Sequence, residues 1–82
     1  MYETRLFNVD EIESQLVKKT LFEIYDALEE RGYNPINQLT GYILSGDPGY
    51  ISSYKDSRKK MTSLDRAKIV ETLLKSFIKW EY

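Results

Sequence analysis

One long stretch of helical periodicity, residues 10–31, constrains the fold of this chain more than any other feature. Apolar side chains recur there at spacings of three to five residues. The stripe consists of Ile12, Leu16, Val17, Leu21, Ile24, Tyr25 and Leu28. Such spacing puts side chains on one face of an amphipathic α-helix. Gly32 follows as the predicted C-cap, so the rest of the chain is expected to cover one face of a single long helix.

Three further helical segments are predicted downstream. Asn34 and Pro35 are a typical N-cap and first helical residue, and this helix should stop before the turn at residues 45–49. A short basic helix or turn follows over 54–61. The last helix should begin with Thr62 or Ser63 as its N-cap and carry a broad apolar face that includes Ile69, Val70, Leu73, Leu74, Phe77, Ile78 and Trp80.

These segments predict an all-α protein, because no stretch alternates polar and apolar residues as a half-buried strand does. We expect a compact bundle of three main helices and a short one, with most of the core supplied by the first and last helices. Residues 10–82 should form one domain, preceded by a flexible N-terminal arm, residues 1–9. Because small domains often gain core by self-association, we also expect a homodimer.

Composition excludes several functional classes. The 82 residues include no cysteine and no histidine, so thiol nucleophiles, zinc–cysteine sites and histidine general bases are absent. A carboxylate enzyme remains an alternative, but it needs a cleft with two facing acids and the sequence suggests none. We expect no metal, no cofactor and no enzymatic activity. The chain has neither a long apolar run nor a signal-peptide pattern, which favours a cytoplasmic protein that is not inserted in a membrane.

Charge is distributed unevenly along the chain. Residues 1–30 hold three basic and eight acidic side chains, whereas residues 31–82 hold nine basic and five acidic ones. The basic side chains cluster at Lys55, Arg58, Lys59, Lys60, Arg66 and Lys68. This 55–68 segment could be a solvated surface, contact an acidic protein or hold a nucleic-acid backbone. The net charge of −1 argues against the nucleic-acid alternative.

Candidate partner-binding residues surround the central turn. Aromatic side chains with polar tips are frequent at protein interfaces, and four tyrosines lie near this turn in sequence. The turn itself, residues 45–49, resembles a structural corner more than a phosphate-binding loop, because it carries no G-x-x-x-x-G-K-[ST] motif. The predicted partner-binding set is Tyr33, Tyr42, Asp47, Tyr50, Tyr54 and Arg58.

The central stretch is also distinctive as a motif. Residues 31–51 read RGYNPINQLTGYILSGDPGYI and fit the pattern GYNPxNQxxGYxLSGDPxY. In this stretch the chain resembles the IreB/ReoM family of small regulators from Gram-positive bacteria. The flanks agree, with ALEERG before the motif, Asp56-Ser57-Arg58 after it, and Asp65-Arg66 and Ile69-Val70-Glu71 within the final helix.

The resemblance implies a helical homodimer without enzymatic activity that is a substrate of a membrane-anchored Ser/Thr kinase. It implies that Thr4, in the N-terminal arm, is the phosphorylated residue. It further implies a role in peptidoglycan precursor synthesis and antibiotic tolerance, through a partner in peptidoglycan regulation or in proteolysis of the first committed enzyme. The chain departs from some relatives in having one threonine in a short arm.

Overall fold

The computed structural model describes the backbone of residues 9–81 and the side chains of residues 9–79. Its helices are α1 (Val9–Glu30), α2 (Pro35–Ser45), α3 (Ser57–Thr62) and α4 (Arg66–Glu81), with 3₁₀ turns at Pro48–Tyr50 and Tyr54–Asp56. No strand occurs in this part of the chain, so the predicted all-α class is confirmed. Val9 belongs to α1, while Thr4 and the other residues of the N-terminal arm lie outside the described residues.

The end of α1 is set by Gly32, as the sequence predicts. Gly32 has a φ of +86°, a left-handed conformation that side chains with a Cβ rarely adopt. Its amide donates to Glu29 O at 2.9 Å, and the Tyr33 amide donates to Leu28 O at 3.0 Å. These two bonds form a Schellman motif, which reverses the chain so that α2 can pack against α1.

Both ends of α2 also lie where the sequence predicts them. Asn34 Oδ1 accepts a hydrogen bond from the Asn37 amide at 3.1 Å, and Pro35 occupies the first helical position. At the other end Gly46 has a φ of +76°, and its amide donates to Tyr42 O at 2.7 Å. Side-chain capping and a left-handed glycine therefore fix the length of this helix.

The predicted start of the last helix is wrong by a few residues. Thr62 and Ser63 end α3: the Ser63 hydroxyl donates to Lys60 O at 2.6 Å. Asp65 caps α4 instead, because its Oδ2 accepts from the Lys68 amide at 3.2 Å. The Thr62 and Ser63 hydroxyls donate to carbonyl groups of α3, whereas the Asp65 carboxylate accepts from an amide in the first turn of α4.

The hydrophobic core surrounds the middle of α1. Its buried members are Val17, Ile24, Leu28, Tyr42, Ile51, Met61, Leu64 and Ile69. The last helix contributes Ile69 alone to this set, so the prediction that α1 and α4 supply most of the core is wrong. Ile51, Met61 and Leu64 supply core side chains that were expected from α4, because the chain between α2 and α4 folds across α1.

Most of the predicted apolar face of α4 lies on the protein surface. Leu73, Leu74, Phe77 and Ile78 are all exposed, Phe77 by 63%, whereas Ile69 and Thr72 face inward. The Trp80 side chain lies outside the described residues. Ile12 and Leu16 near the start of α1 are exposed as well. Within residues 9–81, no helix has the length and apolar character to cross a bilayer.

A cluster of ion pairs fastens α4 to the first turns of α1. Lys68 Nζ lies 3.3 Å from Asp10 Oδ1, 3.7 Å from Glu13 Oε1 and 3.2 Å from Glu71 Oε1. Desolvation opposes the charged form of Lys68, but hydrogen bonds to Glu71 and Asp10 outweigh it, so the pKa of Lys68 is raised. Hydrogen bonds from Lys68 and Lys75 to the Glu71 carboxylate lower the pKa of Glu71.

Replacing a core leucine should test this description of the packing. Leu28→Ala removes a side chain with no exposed surface, so we expect the free energy of unfolding to fall by about 2–5 kcal/mol. Leu44→Ala is the matched control: Leu44 is 80% exposed, and its loss should cost less than about 0.5 kcal/mol. Urea unfolding at one protein concentration measures both, and equal losses would contradict the assigned core.

Candidate functional site

The corner between α2 and α3, residues 46–58, is the best-defined surface feature near the predicted partner-binding residues. Asp47 Oδ1 accepts a hydrogen bond from the Gly49 amide at 2.8 Å, which fixes the 3₁₀ turn that follows. The Asp47 amide in turn donates to Ser45 Oγ at 3.0 Å. These polar groups satisfy one another within the turn, as expected for a structural corner rather than for a phosphate-binding loop.

The chain beyond the turn is fastened on both sides. The Ser52 amide donates to Gln38 Oε1 at 2.9 Å, and Arg58 Nε donates to Ile51 O at 2.8 Å. Ile51 itself has no exposed surface. One buried side chain, a hydrogen bond to α2 and a hydrogen bond from α3 therefore hold the corner in place.

Tyr50 lies directly on Gly41 of α2. A Cβ atom at Gly41 would overlap the Tyr50 ring, so only glycine permits this contact. The close neighbour that Gly41 accommodates is thus an aromatic ring from the turn that follows α2. Tyr50 remains 51% exposed, so one side of its ring is available to a partner.

Two consecutive residues before α3 adopt a left-handed backbone. Lys55 has φ 52° and ψ 37°, and Asp56 has φ 62° and ψ 22°. Each such conformation costs on the order of 1–3 kcal/mol in a non-glycine residue and is found most often at functional sites. Neither residue is glycine, and of the two only Asp56 belongs to a residue type that is enriched in this conformation, so the sequence does not predict the pair.

Contacts around Tyr54 hold this strained segment in place. Lys55 Nζ lies 2.7 Å from Glu30 Oε1, and this hydrogen bond lowers the pKa of Glu30 and raises that of Lys55. The Arg31 guanidinium lies 5.4 Å from the centre of the Tyr54 ring, and Lys55 Nζ lies 5.7 Å from it, within cation–π range. The end of α1 therefore supports the start of α3.

The structure brings some predicted partner-binding residues together and separates others. Asp47, Tyr50, Tyr54 and Arg58 all belong to the corner, and the Tyr54 ring lies against Arg31. Tyr33, 41% exposed, follows the end of α1. Tyr42 is 7% exposed and belongs to the core, so it packs beneath the surface of the corner and is not part of that surface.

A shallow hollow at the corner joins the predicted Arg58 and Lys59 to Pro48, Ser53, Asp56 and Thr62, which the sequence does not single out as binding residues. Its accessible lining is mostly apolar, and Asp56, Arg58 and Lys59 supply charged groups of both signs, a combination that is common at protein interfaces. This chemistry suits a protein surface as its ligand.

The basic cluster of the 55–68 segment is largely engaged within the chain. Lys55 pairs with Glu30, and Lys60 Nζ lies 3.6 Å from Glu23 Oε1. Lys68 is held by the carboxylates of α1 and α4. The Arg66 guanidinium donates to Ile43 O at 3.2 Å. Since phosphate binding needs cations that project freely from one face, these contacts weigh against the nucleic-acid alternative.

The fold and this surface define a class: a small all-α protein whose described surface has features suited to contact with other proteins. A family model described as the IreB regulatory phosphoprotein matches residues 2–79, nearly the whole chain. The chain belongs to this IreB family, and the resemblance inferred from the central motif is confirmed. The family description indicates a regulatory role, which implies protein partners and is consistent with a protein that is not an enzyme.

Relieving the strain before α3 should stabilise the protein. Asp56→Gly puts glycine at a left-handed position where the aspartate makes no side-chain cap bond, so the free energy of unfolding should rise by about 0.5–1 kcal/mol. Asp26→Gly, at an exposed site inside α1, should instead lower it by about 0.3 kcal/mol, because aspartate is itself a weak helix former. Chemical denaturation compares the two variants, and losses in both would contradict a left-handed Asp56.

Proposed function

We propose that this chain is a non-enzymatic cytoplasmic regulator that is switched by phosphorylation of Thr4. The modifying enzyme is a transmembrane Ser/Thr kinase, and the regulated process is peptidoglycan precursor synthesis, with antibiotic tolerance as its physiological result. The observation that carries this proposal is membership of a family of regulatory phosphoproteins over residues 2–79, a range that includes Thr4. A phosphate adds about −1.5 to −2 charges at pH 7, next to a first helix that is already acidic.

The downstream contact in this proposal is made at the corner between α2 and α3. Arg58 lines the hollow, and Tyr50 is half-exposed on the same corner. The strained backbone at Lys55 and Asp56 supports a binding role for this surface. Tyr33 and Tyr54 extend the same surface toward the end of α1. The partner is a protein of peptidoglycan regulation or of the associated proteolysis.

Phosphorylation of the full chain by the purified kinase domain tests the switch. Wild type should take up one phosphate, mass spectrometry should place it on Thr4, and Thr4→Ala should take up none. Thr40→Ala is the matched control, because Thr40 is an exposed threonine in α2 and its removal should leave incorporation unchanged. Equal incorporation into wild type and Thr4→Ala would reject Thr4 as the modified residue.

We also propose that two copies pair through the outer face of α4. Leu73, Leu74, Phe77 and Ile78 form an exposed apolar stripe, and contiguous stripes of this kind usually mark interfaces. A second copy carries the same stripe, so a two-fold axis would bury both at once. By pairing, a chain of this size buries apolar side chains that a single copy leaves exposed.

A charge placed on this stripe should dissociate the pair. Leu74→Lys puts an ammonium in the middle of the proposed interface, so analytical ultracentrifugation at micromolar concentration should show a monomer where wild type is a dimer. Leu44→Lys makes the same exchange on the exposed side of α2 and should leave the dimer intact. A monomeric wild type, or equal dissociation by both variants, would contradict the proposed interface.

A further inference from the structure

The two left-handed residues before α3 belong to a segment whose sequence also favours a longer helix. Residues 53–56 read Ser-Tyr-Lys-Asp, the S-x-x-D spacing of a capping box, in which the first side chain caps a helix and the last one bonds back to it. A helix capped by Ser53 would be about one turn longer than α3. In the structure neither Ser53 nor Asp56 makes a side-chain capping bond, so both capping groups of the longer helix are available.

The longer helix needs no change in the length that this segment spans. Lys55 has φ 52° and ψ 37°, and Asp56 has φ 62° and ψ 22°. These angles are close to the mirror image of right-handed helical angles, so both forms are similarly compact. Ile51 and Ser57, on either side, have no exposed surface and anchor the segment in the core. The rearrangement is therefore confined to the residues between them.

The contacts that hold the left-handed form are individually weak. The side chains of Lys55 and Glu30 are each more than half exposed, and an exposed ion pair shifts an equilibrium by no more than about fivefold. The two cations near the Tyr54 ring contribute effects of similar size. Against these contacts, each left-handed residue other than glycine is disfavoured by about 5- to 150-fold. Since the opposing effects are comparable, we expect both forms to be populated.

We infer that residues 53–56 are a two-state element, in which α3 either begins at Ser57, as in the structure, or extends back to a cap at Ser53. The equilibrium is a property of the free chain and requires neither a kinase nor a partner. Its meaning for binding rests on the proposed function, because the same corner is the proposed contact surface.

The two forms present different charges at the corner. In the observed form the Asp56 carboxylate shares the hollow with Arg58 and Lys59. In the extended form this carboxylate turns back toward the Ser53 amide, so the charged groups that remain in the hollow are basic. A partner that presents a carboxylate therefore binds the extended form more tightly and shifts the population toward it.

Relaxation-dispersion NMR on the isotope-labelled full chain tests this inference, because it detects μs–ms exchange with a minor form populated at about 0.1–10%. The amides of residues 53–57 should show exchange, whereas the amide of Leu28 in the middle of the core should not. The carbon shifts of the minor form at Lys55 and Asp56 should be helical. Exchange that is too fast for dispersion would displace the averaged carbon shifts of these two residues toward helical values.

Two replacements of Ser53 separate capping from a general effect of substitution. Ser53 is exposed and its hydroxyl makes no capping bond in the observed form. Ser53→Ala should therefore leave that form intact and lower the population of the extended form by about fivefold. Ser53→Asn keeps a side chain that caps helices about as well as serine, so the population should stay within about twofold of the wild-type value.

Variants that act on the left-handed form should shift the same equilibrium. Glu30→Ala removes the carboxylate that holds Lys55, so the extended form should gain about two- to fivefold in population. Glu29→Ala is the matched control, because Glu29 is an exposed neighbour that forms no ion pair with a described residue. Asp56→Gly should abolish the exchange, since glycine adopts the left-handed form readily and cannot complete the capping box.

Three results would overturn the inference. Dispersion could be flat and carbon shifts unchanged in both wild type and Glu30→Ala. The minor form could have random-coil shifts, which would indicate local unfolding, or the two Ser53 variants could respond equally. None of these results affects phosphorylation of Thr4, which the kinase assay tests separately. Conversely, a kinase that ignores Thr4 would defeat the proposed function and leave this equilibrium unchanged.

Discussion

The burial of Ile24 and Leu28 in the middle of α1 is the contact on which the rest of the described structure depends. Both side chains have no exposed surface, and α2, the central loop and α3 all reach this point to cover them. Ile51 enters the core from the loop, so the residues on either side of it are fixed at the surface. Core packing therefore fixes the position of the corner that carries Tyr50 and Arg58.

Local sequence signals were sufficient for the helix boundaries set by backbone geometry. Gly32, Asn34 and Gly46 each satisfy a capping requirement that few other residues meet, and the structure places helix ends at all three. The start of α4 was misplaced because Ser63 and Asp65 are both good N-caps. Only the position of α3 decides that Ser63 bonds backward to Lys60, and that position is a tertiary property.

Burial was predicted less well than secondary structure, for a physical reason. Helical periodicity shows which side chains share a face but not what covers that face. Ile24 and Leu74 belong to equally apolar stripes, yet one is buried and the other is 55% exposed. The left-handed backbone at Lys55 and Asp56 was not predicted from the sequence either, since contacts between distant residues, such as the Lys55–Glu30 pair, support it.

The inward face of α4 and its exposed apolar stripe lie on nearly opposite sides of the helix. Successive residues of a helix turn by about 100°, so the buried Ile69 and Thr72 lie on one side and the exposed Leu74 and Phe77 on nearly the opposite one. The packing of α4 on α1 therefore leaves the apolar stripe uncovered. The pairing of two copies proposed above would bury this stripe without disturbing the contact between α4 and α1.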